Sequence, residues 1–477
     1  MTEKKKFRAV RGVRDIVPPD SSLWNWFEQT ARGVLESYNF REIRLPIFEE
    51  TELFARSIGG ETDIVSKEMF TFLNQFTPEE RYEDLQERIP EELSRDPGEG
   101  PIQALLEENS PQILSEVARA AARVRRPAES LTLRPEATAS VVRAYIEHGM
   151  QTQPGLVKLY YTGPMFRRER PQKGRYRQFY QIGAEVLGAS DHPAIDAELI
   201  EMLTVLIGRC KVNDWTLLVN SIGDANCRPA YIEKLREELH KVKDQLGPDS
   251  QRRVETNPLR VFDSKLPEEQ PIIEKLPRIS DNLCEDCQKH FADLLKQLDL
   301  RRIPYKHESR LVRGLDYYMR TTFEITSPHL GAQNALAGGG RYDGLSEMLG
   351  GPPVKGIGFA LGEDRFIEVM QTAGGVNAKP TLDAFIVWMG EPAYPAALSL
   401  ARRLRGEGLR VELPAEEARL KKALSLAERL GTRFAVIIGE NEVSTGQFTV
   451  KRLDDGKQCK LPEADVAGLI RAAAPRN

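Results

Sequence analysis

The chain has 477 residues, too many for one ordinary hydrophobic core, so two or three domains are expected. At 40% hydrophobic and 29% charged it has a globular composition, and no run approaches the ~18 apolar residues of a membrane span. A net charge of −4 gives no whole-chain case for nucleic acid, and five cysteines make no disulfide framework, so a reducing, cytoplasmic setting is expected.

The opening MTEKKKFRAV carries charge but no following apolar run, so it does not read as a secretory signal. After RAVRGVRDIVPPD, apolar residues at Leu23, Trp26, Phe27, Val34 and Leu35 predict a helix over Leu23–Tyr38. FREIRLPIFEE reads as a short strand, and Pro46 suits it to an edge or an interface. Residues 74–128 stand apart, with 12 Asp/Glu against 7 Lys/Arg and little apolar periodicity. They read as an insertion, part helix and part surface loop.

Strand-like order returns over 129–190, in SLTLRPEATA, LVKLYYTGPMF and RQFYQIGAEVLG. In the last, alternation puts Phe179, Gln181, Gly183 and Glu185 on one face and Tyr180, Ile182, Ala184 and Val186 on the other. A helix over Ala194–Cys210, a strand at WTLLVNSIG and a mostly helical region over 214–300 follow. PYKHESRLV and YYMRTTFEITSP read as strands, ALAGGGRYDGL as a glycine-rich stretch, and GIGFALGEDRFIEVM as strand or turn into helix. AGGVNAKPT (373–381) has linker composition. Beyond it DAFIVWMG, LRVEL and RFAVIIG, separated by helical stretches, predict a βαβαβ unit with a parallel core, then a hairpin and a terminal helix.

The chemistry is arginine-rich. Six of the thirteen residues in FRRERPQKGRYRQ (166–178) are cationic. Phosphate-loop, zinc-helix and nucleophile-elbow signatures are absent, and the six histidines are scattered. Arginine forks with carboxylates and no catalytic histidine suit reactions at phosphate, where charge stabilisation and positioning dominate. Glycines 338–340, 356, 358 and 362 would let backbone approach a ligand. Cys284-x-x-Cys287 is a cysteine pair at ligand spacing, with Cys227 a third candidate and no convincing fourth, so it reads as a surface pair at a helix end and no metal ligands are assigned.

These stretches resemble class II aminoacyl-tRNA synthetases, and among them the histidyl-tRNA synthetase family. RLPIFE resembles the dimer-interface motif, FRRERPQKGRYRQFYQ the second motif and GIGFALGEDR the third; LVRGLDYYMRTTFE and GGGRYDGL point to histidine. The resemblance implies an α+β catalytic domain over 1–372, with an antiparallel six-stranded sheet, the 74–128 insertion and a mostly helical insertion region over 214–300. It also implies a linker at 373–381 and an α/β anticodon-binding domain with a mixed sheet over 382–477.

The implied activity joins L-histidine to tRNA(His) through a histidyl-adenylate made from ATP, with Mg²⁺ on the outer phosphates, in a homodimer. By motif position, Arg313 and Arg167 carry the catalytic charge. Arg167, Glu169, Arg175 and Arg365 bind ATP. Glu136, Thr138, Gln181, Glu185, Tyr318 and Tyr342 hold histidine, Tyr318 pointing inward while its strand neighbour Tyr317 packs in the core. Gln172 and Arg177 face tRNA. The third motif departs from the family in Asp364, where Glu is usual, which bears on how Arg365 is oriented. The alternative is the family's non-catalytic paralogue, the regulatory subunit of ATP phosphoribosyltransferase in histidine biosynthesis. That paralogue generally lacks the C-terminal domain and loses catalytic arginines.

Overall fold

This computed structural model describes residues 7–60, 62–74, 129–172, 174–331, 334–372 and 382–472. The expected insertion lies outside the described residues except for Asn74, as do Lys173 and the expected linker. The chain divides into two compact units, Met1–Ile16 with Trp24–Val376 and Val17–Leu23 with Asn377–Asn477. Among the described residues no helix is long and apolar enough to cross a membrane.

The strands of the first unit are β1 (Arg41–Glu42), β2 (Phe48–Glu50), β3 (Phe70–Asn74), β4 (Glu129–Leu133), β5 (Val157–Phe166), β6 (Gln178–Gly188), β7 (Thr216–Ser221), β8 (Lys306–His307), β9 (Met319–Thr326), β10 (Ala335–Arg341) and β11 (Lys355–Gly362). The main sheet runs β1-β5-β6-β11-β10-β9-β7-β8. It has eight strands, which corrects the expectation of six. The six inner strands pair antiparallel throughout, and β1 and β8 add two-residue parallel edges. β1 stops at Glu42, short of Pro46, and lies at the edge of the sheet as expected. Likewise PYKHESRLV pairs only at Lys306 and His307.

A small sheet, β2-β4-β3, stands beside the main one. Buried Arg134, just past β4, ties the two together. Its Nε donates to Pro164 O at 2.9 Å, and its Nη1 donates to Leu45 O at 3.0 Å and Pro46 O at 3.1 Å. The Pro193–Arg209 helix buries Leu199, Ile200, Leu203 and Leu206, the stripe its spacing predicts. Deeper still, Arg341 pairs with Asp196 (2.7 Å) and Asp343 (2.9 Å), a buried ion cluster whose forked geometry fixes the end of β10.

In the second unit β12 (Ala384–Trp388), β13 (Val411–Glu412) and β14 (Phe434–Ile438) pair parallel; β15 (Gln447–Arg452) and β16 (Gln458–Pro462) follow antiparallel, in the order β13-β12-β14-β15-β16. This is the expected mixed sheet. Its central strands read as continuous apolar runs because helices cover them. The Ala393–Gly406 and Glu463–Ala472 helices bury Leu400, Leu404, Val466 and Ile470 in the same core as Ile386 and Val436.

Candidate active site

Strand register lays one row of residues across five strands: Tyr161 opposite Gly183, Gly183 opposite Ala360, Ala360 opposite Gly338, and Gly338 opposite Glu324. Paired residues share a face, so the row is a floor of very small side chains with a tyrosine at one end and a carboxylate at the other. Above it lies a cavity of about 370 Å³. Four arginines line it (Arg167, Arg175, Arg313, Arg365), as do four carboxylates (Glu136, Glu169, Glu324, Asp364).

The glycines do something other than admit a ligand's approach. A Cβ at Gly338 would overlap the Arg313 guanidinium, one at Gly356 the Tyr342 ring, and one at Gly358 Glu185 Oε2. They make room for protein side chains at the site; only at Gly362 is the adjoining space open.

Each arginine is held by a carboxylate, an aromatic ring or backbone carbonyls. Arg313 Nη1 donates to Glu324 Oε2 at 2.8 Å, and the guanidinium lies 5.8 Å from the Tyr318 ring centroid. Burial works against its charge, but Tyr318 and Glu324 outweigh that and hold its pKa above the ordinary value. Arg167 Nε donates to Pro135 O at 3.0 Å, over the Phe179 ring. Arg175 pairs with Glu169 at 3.1 Å. Arg365, at the start of the Glu363–Thr372 helix, donates to Gly174 O at 3.2 Å and Ala335 O at 3.3 Å, clamping the 166–178 hairpin to β10. Burial and the nearby charges of Arg175 and Arg167 depress its pKa. Such crowding of cations favours an anionic ligand. At the hairpin tip Gln172 and Arg175 exchange backbone hydrogen bonds, while Arg177 reaches the carbonyls of Arg11 and Gly12; neither Gln172 nor Arg177 lines the cavity.

The other end of the cavity is polar and deeply buried. Glu136 accepts from the backbone amides of Thr138 (2.6 Å) and Ala139 (3.0 Å), the free N–H groups that begin the Thr138–Glu147 helix. Burial raises its pKa despite those bonds. Thr138 Oγ1 donates to Glu185 Oε1 at 2.8 Å. Glu185 and Tyr342 sit one layer behind the lining. Burial pushes the Glu185 carboxyl up to about 8, with the Tyr342 and Thr138 hydrogen bonds opposing and Glu136 adding to the rise. The Tyr161 hydroxyl, Gln181 Oε1, Arg175 Nε and Arg313 Nε are buried at this cavity without hydrogen-bond partners. A polar ligand would satisfy them.

Tyr317 packs in the core as expected, but the expectation that this separates it from Tyr318 is corrected. Both precede β9, so strand alternation does not apply, and both line the cavity with ring centroids 4.8 Å apart. Tyr161, Glu324 and Asp364 are among the lining residues that went unassigned in the sequence. Tyr161 and Glu324 need strand register to be found. Asp364 was noted only as a shortened acid. It accepts from Arg14 Nη2 at 2.7 Å and from the Tyr180 amide at 2.9 Å, binding the N-terminal RGVRD segment to the site. Arg14 also lies 4.4 Å from the Tyr176 ring centroid.

A six-strand antiparallel core carrying an arginine hairpin and a third-motif arginine is the catalytic domain of a class II synthetase. Comparison with known proteins narrows this. The model of the family described as "Histidyl-tRNA synthetase" matches residues 115–365, and that described as "Anticodon binding domain" matches 383–473. The chain is 52% identical to the histidine–tRNA ligase of Koribacter versatilis over 97% of its own length and 96% of the relative's. It is 47% identical to that of Solibacter usitatus, covering 98% and 99%. Among solved structures, apo histidyl-tRNA synthetase of S. aureus superposes with a TM-score of 0.73 at 32% identity, covering 98% of this chain and 100% of that one. The chain belongs to the histidyl-tRNA synthetase family.

Proposed function

We propose that the chain is a histidine–tRNA ligase working in two steps at this cavity. A carboxylate oxygen of L-histidine attacks the α-phosphorus of ATP, the bond to the bridging oxygen breaks, and pyrophosphate leaves. A ribose hydroxyl of the 3′ adenosine of tRNA(His) then attacks the carbonyl of the histidyl-adenylate, and AMP leaves. The convergence of four arginines over the Gly183–Ala360–Gly338 floor carries the reading.

In this reading Arg313 and Arg167 stabilise charge developing at the α-phosphate, fixed beforehand by Glu324 and the Pro135 carbonyl. Glu169 takes the adenine side, and Arg175 and Arg365 take the outer phosphates. The amino group of histidine meets Glu136 and Thr138, its carboxylate lies near Gln181, and Glu185, Tyr318 and Tyr342 read the imidazole. A buried set of donors and acceptors rejects amino acids that leave them unpaired. Mg²⁺ would supply charge neutralisation on the outer phosphates, with Glu324, a hard oxygen donor lining the cavity, to hold it. Gln172 and Arg177 would meet the tRNA acceptor end.

Residues 1–372 would form the catalytic domain, 373–381 a linker and 382–477 the anticodon-binding domain, in a cytoplasmic homodimer. Exposed Phe48 and Phe72, with ring centroids 6.2 Å apart on one face of the small sheet, give the dimer reading an apolar contact. Charging of tRNA(His), but not of other tRNAs, with labelled histidine is the expected result. Failure to charge by folded protein that still binds histidine would support the regulatory-subunit reading instead.

A further inference from the structure

Away from the cavity, three cysteines and an aspartate converge from two parts of the chain. Asp224-x-x-Cys227 leads into the Arg228–Val242 helix, and Cys284-x-x-Cys287 opens the Glu285–Leu300 helix; Cys227 and Cys284 occupy the N-cap positions. The four ligand atoms all lie within 4.8 Å of one another. Cys227 Sγ is 3.9 Å from Cys287 Sγ and 3.6 Å from Asp224 Oδ1, and Cys284 Sγ is 3.8 Å from the same oxygen. Tetrahedral zinc with metal–sulfur distances of ~2.3 Å needs ligand–ligand edges of about 3.8 Å. Asp224, Cys227 and Cys287 are buried and Cys284 is partly so. The pair reading Cys284 and Cys287 as surface residues is thereby corrected, and the missing fourth group is a carboxylate.

We propose that Asp224, Cys227, Cys284 and Cys287 bind a structural zinc ion. Three thiolates and a carboxylate leave two net negative charges around a divalent cation, and two arginines lie against them. Arg320 Nη2 is 3.4 Å from Asp224 Oδ2, and Arg228 directly follows Cys227 in the chain. Helix N-termini also favour thiolates. A Cys227–Cys287 disulfide fits less well: it requires sulfurs ~2.05 Å apart and leaves Cys284 and Asp224 without a role.

The ion would brace the active site from below. Arg228 donates to the carbonyls of Ile222, Gly223 and Tyr318. Arg320, in the left-handed region at φ 49°, donates its amide to Gly223 O at 2.7 Å. Both arginines hold the turn that presents Tyr317 and Tyr318.

The test is metal analysis of the full chain purified without chelator. The expected result is about one zinc per chain, lost in Cys284→Ser and Asp224→Asn and kept in Cys459→Ser, whose cysteine is exposed in the second unit. Cobalt substituted for zinc should give tetrahedral absorption bands with sulfur-to-metal charge transfer. A metal-free, folded wild type with freely reactive Cys227, Cys284 and Cys287 overturns the proposal, and so does a Cys227–Cys287 disulfide or an octahedral cobalt spectrum. The bracing part rests on the proposed function. A zinc-free Cys284→Ser with unchanged KM for histidine overturns that part alone, whereas a wild type inactive with every amino acid overturns the function reading and leaves the metal result standing.

Discussion

Tyr342 donates its phenolic hydrogen to Glu185 Oε2 at 2.5 Å, with both side chains enclosed by the sheet. The bond fixes the carboxylate from behind, while Thr138 fixes it from the cavity side at 2.8 Å. Tyr342→Phe removes one fixed partner and keeps the ring. Leaving a buried carboxyl oxygen without its partner, about 1–3 kcal/mol, should raise KM for histidine by roughly 5- to 100-fold and leave KM for ATP within about twofold. Steady-state pyrophosphate exchange checks it; equal rises in both constants contradict the assignment.

Gly358 and Gly362 lie on the same face of β11 and make opposite demands. A Cβ at Gly358 would overlap Glu185 Oε2 and approach Ala184 O to 2.8 Å, whereas none lies within 4 Å at Gly362. Gly358→Ala should destabilise the fold by about 1–3 kcal/mol and weaken histidine binding. Gly362→Ala should melt within about 0.5 kcal/mol of wild type. Denaturant titration of both variants makes the comparison.

Asp364 joins Arg14 to the Tyr180 amide. Asp364→Ala leaves that part-buried amide and the guanidinium without their acceptor, at a cost of about 1–3 kcal/mol. Proteolysis should then cut the N-terminal segment around Arg14 sooner than in wild type. Asp364→Glu, which keeps a carboxylate at this position, should restore most of the protection.

Glu363 provides a pH test. Burial pushes its carboxyl up to about 8, the charges of Glu28 and Asp364 add to the rise, and the Thr162 hydrogen bond at 3.0 Å opposes it. The ordinary value is 4.5, so between 4.5 and about 8 the folded chain keeps a proton that the unfolded chain releases. Stability therefore falls as pH rises through that window, by on the order of a few kcal/mol. Glu185 contributes in the same direction. Glu363→Gln has no proton to lose, so its melting temperature should fall less than wild type's between about pH 5 and about pH 8.5. Parallel pH profiles contradict the assignment.

The strands and helices were legible wherever apolar periodicity was strong, as in RQFYQIGAEVLG and the βαβαβ unit. Gln181 and Glu185 fall on one face in the alternation and again in the register opposite Gly362 and Gly358. What register alone decides was not legible: Tyr161 and Glu324 become ends of one row only when β5, β6, β11, β10 and β9 are set side by side. Tyr317 was placed in the core correctly, but its share in the cavity was missed because strand logic was extended into a turn. Asp224 was passed over because zinc motifs were sought in cysteine and histidine alone, and its closeness to Cys284 arises only from the folding of the 214–300 region.

The central claim is that this cavity activates histidine with Arg313 stabilising the reacting phosphate. ATP–pyrophosphate exchange with each of the twenty amino acids, on wild type and on Arg313→Ala, tests it most directly. The account predicts exchange with histidine alone, falling by about two powers of ten or more in the variant while histidine still binds. Exchange supported by another amino acid, or an Arg313→Ala rate near wild type, would contradict it.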